Sequence, residues 1–537
     1  MSGLGCFILP PENRKLNTEN PNFYRHMKTK LIYTLALLLS LSLFTGCDQG
    51  FDELNTNRVN PTSLAPSMVL NKAIISTTYL DGFGTLGMLT YNFAIVQQII
   101  TPYGSSLSGG NYDQVNNSNT PLVWTNFYRN VLKQLVAVLD QTKSDPMQSN
   151  TYNAARIWKA YIFMILTDTY GDIPYFEAGQ GYTNEIITPK YDSQQAIYKD
   201  ILKEFDEASA ALDTKQAAVT TDILYGGDVA KWKKLGYSFM LRAAMRLTKV
   251  DPATAESYVK KAVAGGVFQS NADNSIIRHT AIYNNYIANH LAAREKTNFY
   301  LAAPFVNYLK DNNDPRLPIF AVRYVGAKGG QEQTASRATS DPKVQVGMPM
   351  GYNDVTISSV LQQNGVASLW DFSQVNLNTV LKLDSPEFHI TYAQVQLLLA
   401  EAAVRGWVTG SPADYYTRGI RANLEQMASY GAPIPEASIK AYLDSQPLAA
   451  GKELDQINTQ YWVASFLDGT EAFANFRRSG FPALKKNPYP GSEVKGDFIR
   501  RLPYPDSEIV VNSGSLNEAI GRQGPNTLDT RVWWDKK

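Results

Sequence analysis

Two carboxylates three residues apart, Asp468 and Glu471, are the arrangement in this sequence closest to an acid–base pair. Residues at this spacing share one face of a helix, and glycoside hydrolysis requires two carboxyl groups about 5–9 Å apart across a sugar. A solvated helix face produces the same spacing without any catalysis. We adopt the second interpretation and predict that the protein has no catalytic residue and is a binding protein rather than an enzyme.

The remaining reactive side chains also form no known motif. The cysteines, Cys6 and Cys47, lack a metal-binding spacing and cannot make a disulfide framework. The hydrolase elbow Gly-x-Ser-x-Gly, the phosphate loop Gly-x-x-x-x-Gly-Lys and the zinc motif His-Glu-x-x-His are absent from the sequence. We therefore expect no metal and no cofactor. The histidines are scattered, without ligand spacing: His26, His279, His290 and His389.

The segment that begins at Met27 has the pattern of a secretory signal. Positive residues are followed by an apolar run from Leu31 to Leu43, and then by Phe44-Thr45-Gly46-Cys47. The run is short for a membrane span. Its end resembles a bacterial lipobox, in which Cys47 becomes the lipidated N-terminus, although Leu is commoner than Phe at position 44. A signal peptide that leaves a plain cysteine, or an uncleaved anchor, remains an alternative.

The predicted organisation follows from this signal. Residues 1–46 are an upstream segment plus the lipoprotein signal peptide, residues 47–66 are a lipidated tether, and residues 67–537 are one α-helical domain with long loop insertions. Acidic residues soon after Cys47 resemble a surface-export signal of Bacteroidetes lipoproteins. The predicted location is the outer membrane, anchored by lipid and exposed at the cell surface.

Composition narrows the class of ligand. The formal net charge of +1 gives no electrostatic reason to expect nucleic acid. The chain has 31 tyrosines, and a tyrosine combines a flat apolar face with a hydroxyl group, which suits contact with sugars or peptides. Packing between helices is the alternative role for any single tyrosine.

Apolar periodicity predicts a chain rich in paired helices. The ranges with helical spacing are 68–79, 86–100, 124–139, 152–170, 191–212, 229–247, 253–264, 299–309, 388–408, 415–429 and 458–476. Residues 101–121 are rich in Gly, Ser and Asn, and residues 267–365 are mixed, so both are predicted to be irregular. The tail from Gly480 onward is long for a loop, so we expect it to pack on the body.

Several segments, in order, resemble the SusD/RagB family of outer-membrane lipoproteins. They are Gly171-Asp-Ile-Pro-Tyr-Phe-Glu-Ala178, Thr188–Leu202, Trp232–Leu247, Asn313-Asp-Pro-Arg-Leu317, Thr391–Ala403, Glu471–Gly480 and Arg500-Arg-Leu-Pro-Tyr-Pro505. The resemblance implies a mainly α fold, in which tetratricopeptide-like helix pairs support an irregular, loop-rich half. It also implies capture of glycan, or of peptide in RagB-like members, for a SusC-like TonB-dependent transporter. A helical-repeat scaffold without a small ligand is a further alternative.

Ligand contacts are expected from aromatic and polar residues on loops, because the helix cores are needed for packing. Sugar C–H faces stack on rings, and sugar hydroxyls pair with Asn, Asp or Arg. The candidate residues in the two irregular stretches are Tyr103, Asn111, Tyr112, Asp113, Tyr324, Tyr352 and Trp370.

The family motifs themselves are interpreted as structural. Glu401 lies inside an apolar helix and needs a buried partner, for which we predict Arg477 or Arg501. Asp172, which precedes Ile-Pro, is predicted to cap or turn the chain.

The lipobox predicts that Cys47→Ala releases the protein from the membrane fraction, because the thiol is the only point of lipid attachment. Fractionation of cells labelled with a radioactive fatty acid measures this directly, with Cys6→Ala as the control. Label incorporated into Cys47→Ala would contradict the prediction.

Overall fold

The computed structural model describes Arg25 and residues 28–34, 64–78, 83–181, 184–219, 222–280 and 282–537. Residues 28–34 are helical, and residues 65–537 form a separate compact unit. The predicted lipidation site Cys47, the acidic residues after it and most of the predicted signal lie outside the described residues. In the described part, no helix is both long and apolar enough to cross a membrane.

Helices dominate the described chain. Those of eight or more residues are α1 (Pro66–Ser76), α2 (Lys133–Thr142), α3 (Ser149–Tyr170), α4 (Gln194–Ala211), α5 (Val229–Arg246), α6 (Pro252–Gly265), α7 (Tyr286–Ala293), α8 (Ala303–Asp311), α9 (Tyr392–Val404), α10 (Pro412–Gln426), α11 (Glu436–Ser445), α12 (Glu453–Ala464), α13 (Gly469–Ser479) and α14 (Ser513–Gln523). The strands are short and form small antiparallel sheets. They are β1 (Ile99–Ile100) with β5 (Tyr300–Leu301), β2 (Ile173–Pro174) with β3 (Tyr191–Asp192), β4 (Ser275–Ile277) with β9 (Glu387–Ile390), and β6 (Ala321–Tyr324) between β7 (Ala338–Thr339) and β8 (Gln374–Val375).

Consecutive helices pack as hairpins, so the predicted tetratricopeptide-like architecture is confirmed. Each helix from α1 to α5 contacts the helix that follows it. Helix α9 packs against α10, α12 and α5. Helix α3 is buried almost all round, as its continuous apolar sequence predicts. Among the described residues, the segment between α8 and α9 contains four of the nine short strands and four of the seven 3₁₀ turns, and it forms the irregular half.

Local capping explains where the predicted long helices are interrupted. The predicted helix 388–408 is in fact β9 followed by α9, because Thr391 and Gln394 form a capping box that starts the helix. The predicted helix 458–476 is divided into α12 and α13, with Leu467 at a φ of 73° and Asp468 as the new N-cap. Apolar periodicity missed both breaks, although in each case a capping residue followed three positions later by Gln or Glu marks a helix start in the sequence.

Asp172, which was predicted to cap or turn the chain, links the signature after α3 to the first residue of α4 and to the tail. Its Oδ1 accepts a hydrogen bond from the Gln194 backbone N–H (2.9 Å), and its Oδ2 accepts one from Arg522 Nε (3.0 Å). Gly171 is required here, since its φ is 87° and an added Cβ would lie 1.7 Å from Gln523 Oε1. The tail thus packs on the body, as predicted, although α14 within it was not predicted.

Glu401 is buried and paired, but the predicted partner was wrong. Arg478 donates to both carboxylate oxygens at 2.7 Å, and Arg405 donates to Oε1 at 2.8 Å. Arg477 lies on another face of α13, where it stacks over Phe473 and donates to the Arg500 carbonyl. Predicted partner Arg501 instead donates to the Leu502 carbonyl and to Asn526.

Burial alone would raise the pKa of Glu401, but the charges and hydrogen bonds of Arg478 and Arg405 outweigh it and lower the pKa to about 2. The folded-state pKa is therefore below the ordinary value of 4.5. The pair stabilises the folded state above that value, and this contribution is lost as the pH falls toward the folded-state pKa.

We expect Glu401→Gln to lower the free energy of unfolding by about 3–5 kcal/mol, because it leaves the Arg478 guanidinium buried without its counter-ion. Urea denaturation near neutral pH measures this, and the deficit relative to the wild type should shrink between about pH 5 and pH 2. The control is Glu436→Gln, because Glu436 is exposed and its partner Arg421 is only half-buried, with an expected loss below about 1 kcal/mol. Equal losses in the two variants would contradict this account of the Glu401 pair.

Candidate functional site

A second apolar cluster, separate from the main core, lies under part of the irregular half. Its buried members are Ala94, Ile100, Tyr300, Ala302, Met348, Met350, Ile357, Val360, Val366, Leu369 and Phe372. Three of the predicted ligand residues, Tyr103, Tyr352 and Trp370, are half-buried and pack against it. The structure thus places on one cluster aromatic side chains that are up to 267 positions apart in sequence (370 minus 103). We call these three residues the aromatic platform.

Asn111 is fully buried and joins the two loops that carry the platform. Its Nδ2 donates to the carbonyls of Thr101 (2.8 Å) and Tyr352 (3.1 Å), and its Oδ1 accepts from the Gly351 N–H (2.8 Å). Both amide hydrogens are used within the protein. Asn111 therefore positions Tyr352 relative to the segment that contains Tyr103.

Tyr103 stands at the start of a short helix, Gly104–Leu107. Its backbone N–H donates to Thr101 Oγ1 at 3.1 Å, and the next loop is fixed by the Asp354 N–H, which donates to the Pro102 carbonyl at 3.1 Å. Burial and, secondarily, the charge of Asp354 raise the pKa of Tyr103 to about 12. The phenol therefore stays protonated at physiological pH and can donate a hydrogen bond to a ligand.

Trp370 and Tyr324 are held by the same buried ion pair. Arg323 Nε donates to Asp371 Oδ1 at 2.9 Å, and the same carboxylate accepts the Ala367 N–H at 2.8 Å through Oδ2. Trp370 precedes Asp371 in a 3₁₀ turn, whereas Tyr324 follows Arg323 at the end of β6. Tyr324 is half-buried, but it is not among the residues that pack on the second cluster.

Tyr112 stacks face to face on Tyr489, with ring centroids 3.6 Å apart and planes inclined by 6°. Tyr112 is buried and Tyr489 is half-buried. Burial raises the pKa of Tyr112. Tyr489 belongs to a third segment, 485–494, that the sequence reasoning missed. The aromatic residue between Pro488 and Pro490 is the signal that could have marked it.

Asp113 has a φ of 50° and is buried beside this third segment. Its carbonyl accepts the Glu493 N–H at 3.1 Å. Burial raises the pKa of the Asp113 carboxyl to about 7, against the opposing effects of Asn487 and Lys486. Asp113 and Tyr112 thus lie in the joint between two loops, while the platform residues remain half-exposed.

Asn487 is the main link from the third segment to residues 101–121. Its Nδ2 donates to the carbonyls of Gly110 (3.1 Å) and Asn111 (2.6 Å). Gln114 adds a bond from its Nε2 to the Gly491 carbonyl at 3.0 Å. Hydrogen bonds therefore join three distant parts of the chain: residues 101–121, the loop that carries Tyr352, and residues 485–494.

We expect Asn487→Ala to increase hydrogen exchange at backbone amides of residues 101–116, because two buried carbonyls lose their donor. Mass spectrometry of peptic peptides measures the effect. Asn184→Ala, which removes one exposed bond to Gln180, is the control and should leave these peptides unchanged. Unchanged exchange in Asn487→Ala would show that the loops are held by other contacts.

The site offers ring faces and hydroxyl groups for binding. The carboxylates first considered for catalysis lie elsewhere and are engaged: Asp468 Oδ1 caps α13, and Glu471 is buried against Arg246, Arg242 and Tyr461. Among the described residues, no group of three or more His, Cys, Asp or Glu side chains is placed to hold a metal ion.

Several solved structures are similar to this chain in both sequence and fold. A solved structure named as a chitin-binding protein is 33% identical, with a TM-score of 0.79, over 88% of this chain and 100% of that chain. A SusD-like protein from Bacteroidetes is 28% identical, with a TM-score of 0.77 over the same shares. A chitin-binding SusD homologue from Flavobacterium johnsoniae, 24% identical, has a TM-score of 0.68 over 86% of this chain and 99% of its own, and supports the fold.

A search of curated protein sequences found no match. The family model described as "Starch-binding associating with outer membrane" matches residues 57–505, most of the chain. Together with the 33% identity over nearly the whole chain, this match shows that the protein belongs to the SusD-like family.

Proposed function

We propose that this protein captures chitin-type oligosaccharides, chains of β-linked N-acetylglucosamine, on the aromatic platform at the cell surface. The observation that carries the proposal is the convergence of Tyr103, Tyr352 and Trp370 on one small apolar cluster. Each ring is backed by buried side chains and half-exposed, so a sugar can stack on it without the cost of ordering a flexible side chain. The 33% identity to a chitin-binding protein supports this choice of glycan.

The chemistry of the surroundings fits a neutral, polar ligand. N-acetylglucosamine presents apolar C–H faces for the rings, and hydroxyl and acetamido groups for hydrogen bonds. The protonated Tyr103 hydroxyl and the exposed carboxylate of Asp354 provide a donor and an acceptor beside the platform. No bond of the sugar is broken in this proposal, and the protein acts by binding.

The proposed setting is the outer membrane. The family description places its members in association with that membrane, and the lipobox at Cys47 supplies an anchor. We propose that the captured oligosaccharide passes to a SusC-like TonB-dependent transporter, as the family resemblance implies.

Replacing the platform aromatics tests the ligand-binding role. Loss of one stacking ring is worth on the order of 1 kcal/mol, so Trp370→Ala or Tyr103→Ala should weaken binding of chitohexaose by about 3- to 10-fold in calorimetry. Trp407→Ala is the control, because Trp407 is also half-buried but packs on the main core near Arg405. Wild-type affinity in the double variant Tyr103→Ala/Trp370→Ala would move the site elsewhere. Shortened products in chromatography would refute the non-enzymatic role.

Partnership with a transporter has its own test. Affinity purification of the tagged protein from a mild detergent extract should recover a large β-barrel protein, and an unrelated tagged lipoprotein should not. Repeated recovery of the protein alone, after chemical cross-linking of intact cells, would count against the partnership.

A further inference from the structure

Tyr489 is an aromatic residue outside the platform whose ring reaches solvent. One face of the ring is covered by Tyr112, at a centroid separation of 3.6 Å and an inclination of 6°. Tyr112 is buried, whereas Tyr489 is half-buried, like the three platform residues. Tyr112 therefore supports the ring from the protein side, and the stacked pair presents Tyr489 to solvent on a fixed base.

Tyr489 lies against the loop that carries Tyr352. Gly351 has a φ of 83°, and a Cβ added there would lie 2.9 Å from Asn487 Oδ1 and 3.1 Å from the Tyr489 backbone nitrogen. Asn487 also donates to the carbonyl of Asn111, which in turn donates to the Tyr352 carbonyl. The segment of Tyr489 and the loop of Tyr352 are therefore in direct contact, and no side chain at position 351 separates them.

The exposed side chain of Asp354 relates the tyrosine pair to the platform. Burial is the main cause that raises the pKa of both Tyr103 and Tyr112, and the negative charge of Asp354 adds to the effect on each. Such an effect decreases with distance, so it acts only on nearby groups. Asp354 therefore lies near a platform ring and also near the ring that supports Tyr489.

The segment around Tyr489 restricts the movement of its ring. Pro488 and Pro490 flank the residue and limit the backbone, and the Tyr489 N–H donates to Asn487 Oδ1 at 3.0 Å. Gly491 leaves the ring uncovered, since a Cβ there would lie only 2.6 Å from ring carbon Cε1. A ring that is held in place before the ligand arrives can stack on a sugar at little entropic cost.

We propose that Tyr489 is a further sugar-binding residue, which contacts the part of a chitin-type chain that extends past the platform. The inference rests on the proposed function, because the platform must hold the other end of the chain. On this arrangement a trisaccharide occupies the platform alone, whereas a hexasaccharide also reaches Tyr489. The protein is therefore selective for longer oligosaccharides, and Tyr489 determines that selectivity.

Calorimetry with chitotriose and chitohexaose tests the proposal. We expect Tyr489→Leu to weaken binding of chitohexaose by about 3- to 10-fold and to leave binding of chitotriose unchanged, because leucine packs on Tyr112 but offers no ring face. Tyr489→Phe keeps the ring and should bind both oligosaccharides like the wild type. Tyr103→Leu, on the platform, should weaken binding of both.

Wild-type affinity of Tyr489→Leu for chitohexaose would overturn the proposal. An equal loss for both oligosaccharides would also overturn it, since Tyr489 would then only support the loops. In either case a loss of affinity in Tyr103→Leu would leave the proposed function in place. If the wild type binds neither oligosaccharide, the proposed function fails together with this inference.

Discussion

The buried ion pair between Arg246 and its two carboxylates is the interaction on which the helical half depends. Arg246 on α5 is fully buried, and it contacts Asp168 on α3 and Glu471 on α13. Burial would raise the pKa of Glu471, but Arg242 and Arg246 outweigh it and lower the pKa. Removing one partner of such a group leaves an uncompensated buried charge, which typically costs about 3–5 kcal/mol.

Neutral side chains from other helices and from the tail donate hydrogen bonds to the two carboxylates of this group. Tyr198 of α4 and Trp534 of the tail donate to Asp168, and Tyr461 of α12 donates to Glu471. Apolar contact between helix faces is non-directional, so it permits hairpins to slide relative to one another. The hydrogen bonds of the Arg246 group are directional and fix which hairpins meet. The family motifs of α5 and α13 are explained by this requirement.

A second buried ion pair connects the helical half to the irregular half. Arg316 pairs with Asp314 in the turn after α8, and it reaches Asn423 on α10 (2.8 Å) and Gln460 on α12 (2.9 Å). The Arg323–Asp371 pair then fixes the turn that carries Trp370. The platform is thus connected to the helical scaffold by charged hydrogen bonds, although it lies in a segment with little regular secondary structure. A rigid scaffold that presents loop aromatics suits binding without chemistry.

The sequence was sufficient for most of the long helices, but not for α7, α11 and α14 or for the contacts of each residue. Apolar periodicity located α3, α4 and α5 to within a few residues, because one face of each must be buried. It missed the break at Leu467, although Asp468-Gly469 and the Glu three residues after Asp468 are a helix-start signal in the sequence. It also could not distinguish Arg478 from Arg477 as the partner of Glu401, since adjacent helical residues differ only in direction.

The same limit applies to the loops. Asn111 and Trp370 have equally plausible residue types for contact with a sugar. Only the pairing of Asn111 with Tyr352, 241 residues away, shows that Asn111 faces inward, and local sequence does not encode such a pairing. Tyr489 was missed for the same reason, because its role depends on stacking against a distant loop.

The central claim is that half-buried aromatics on the second cluster bind a glycan. A crystal structure of the protein with chitohexaose tests it most directly. We expect sugar rings stacked on Tyr103, Tyr352 or Trp370, with an acetamido or hydroxyl group hydrogen-bonded to the Tyr103 hydroxyl or to Asp354. Clear density for the oligosaccharide at another surface, with the platform unoccupied, would contradict it.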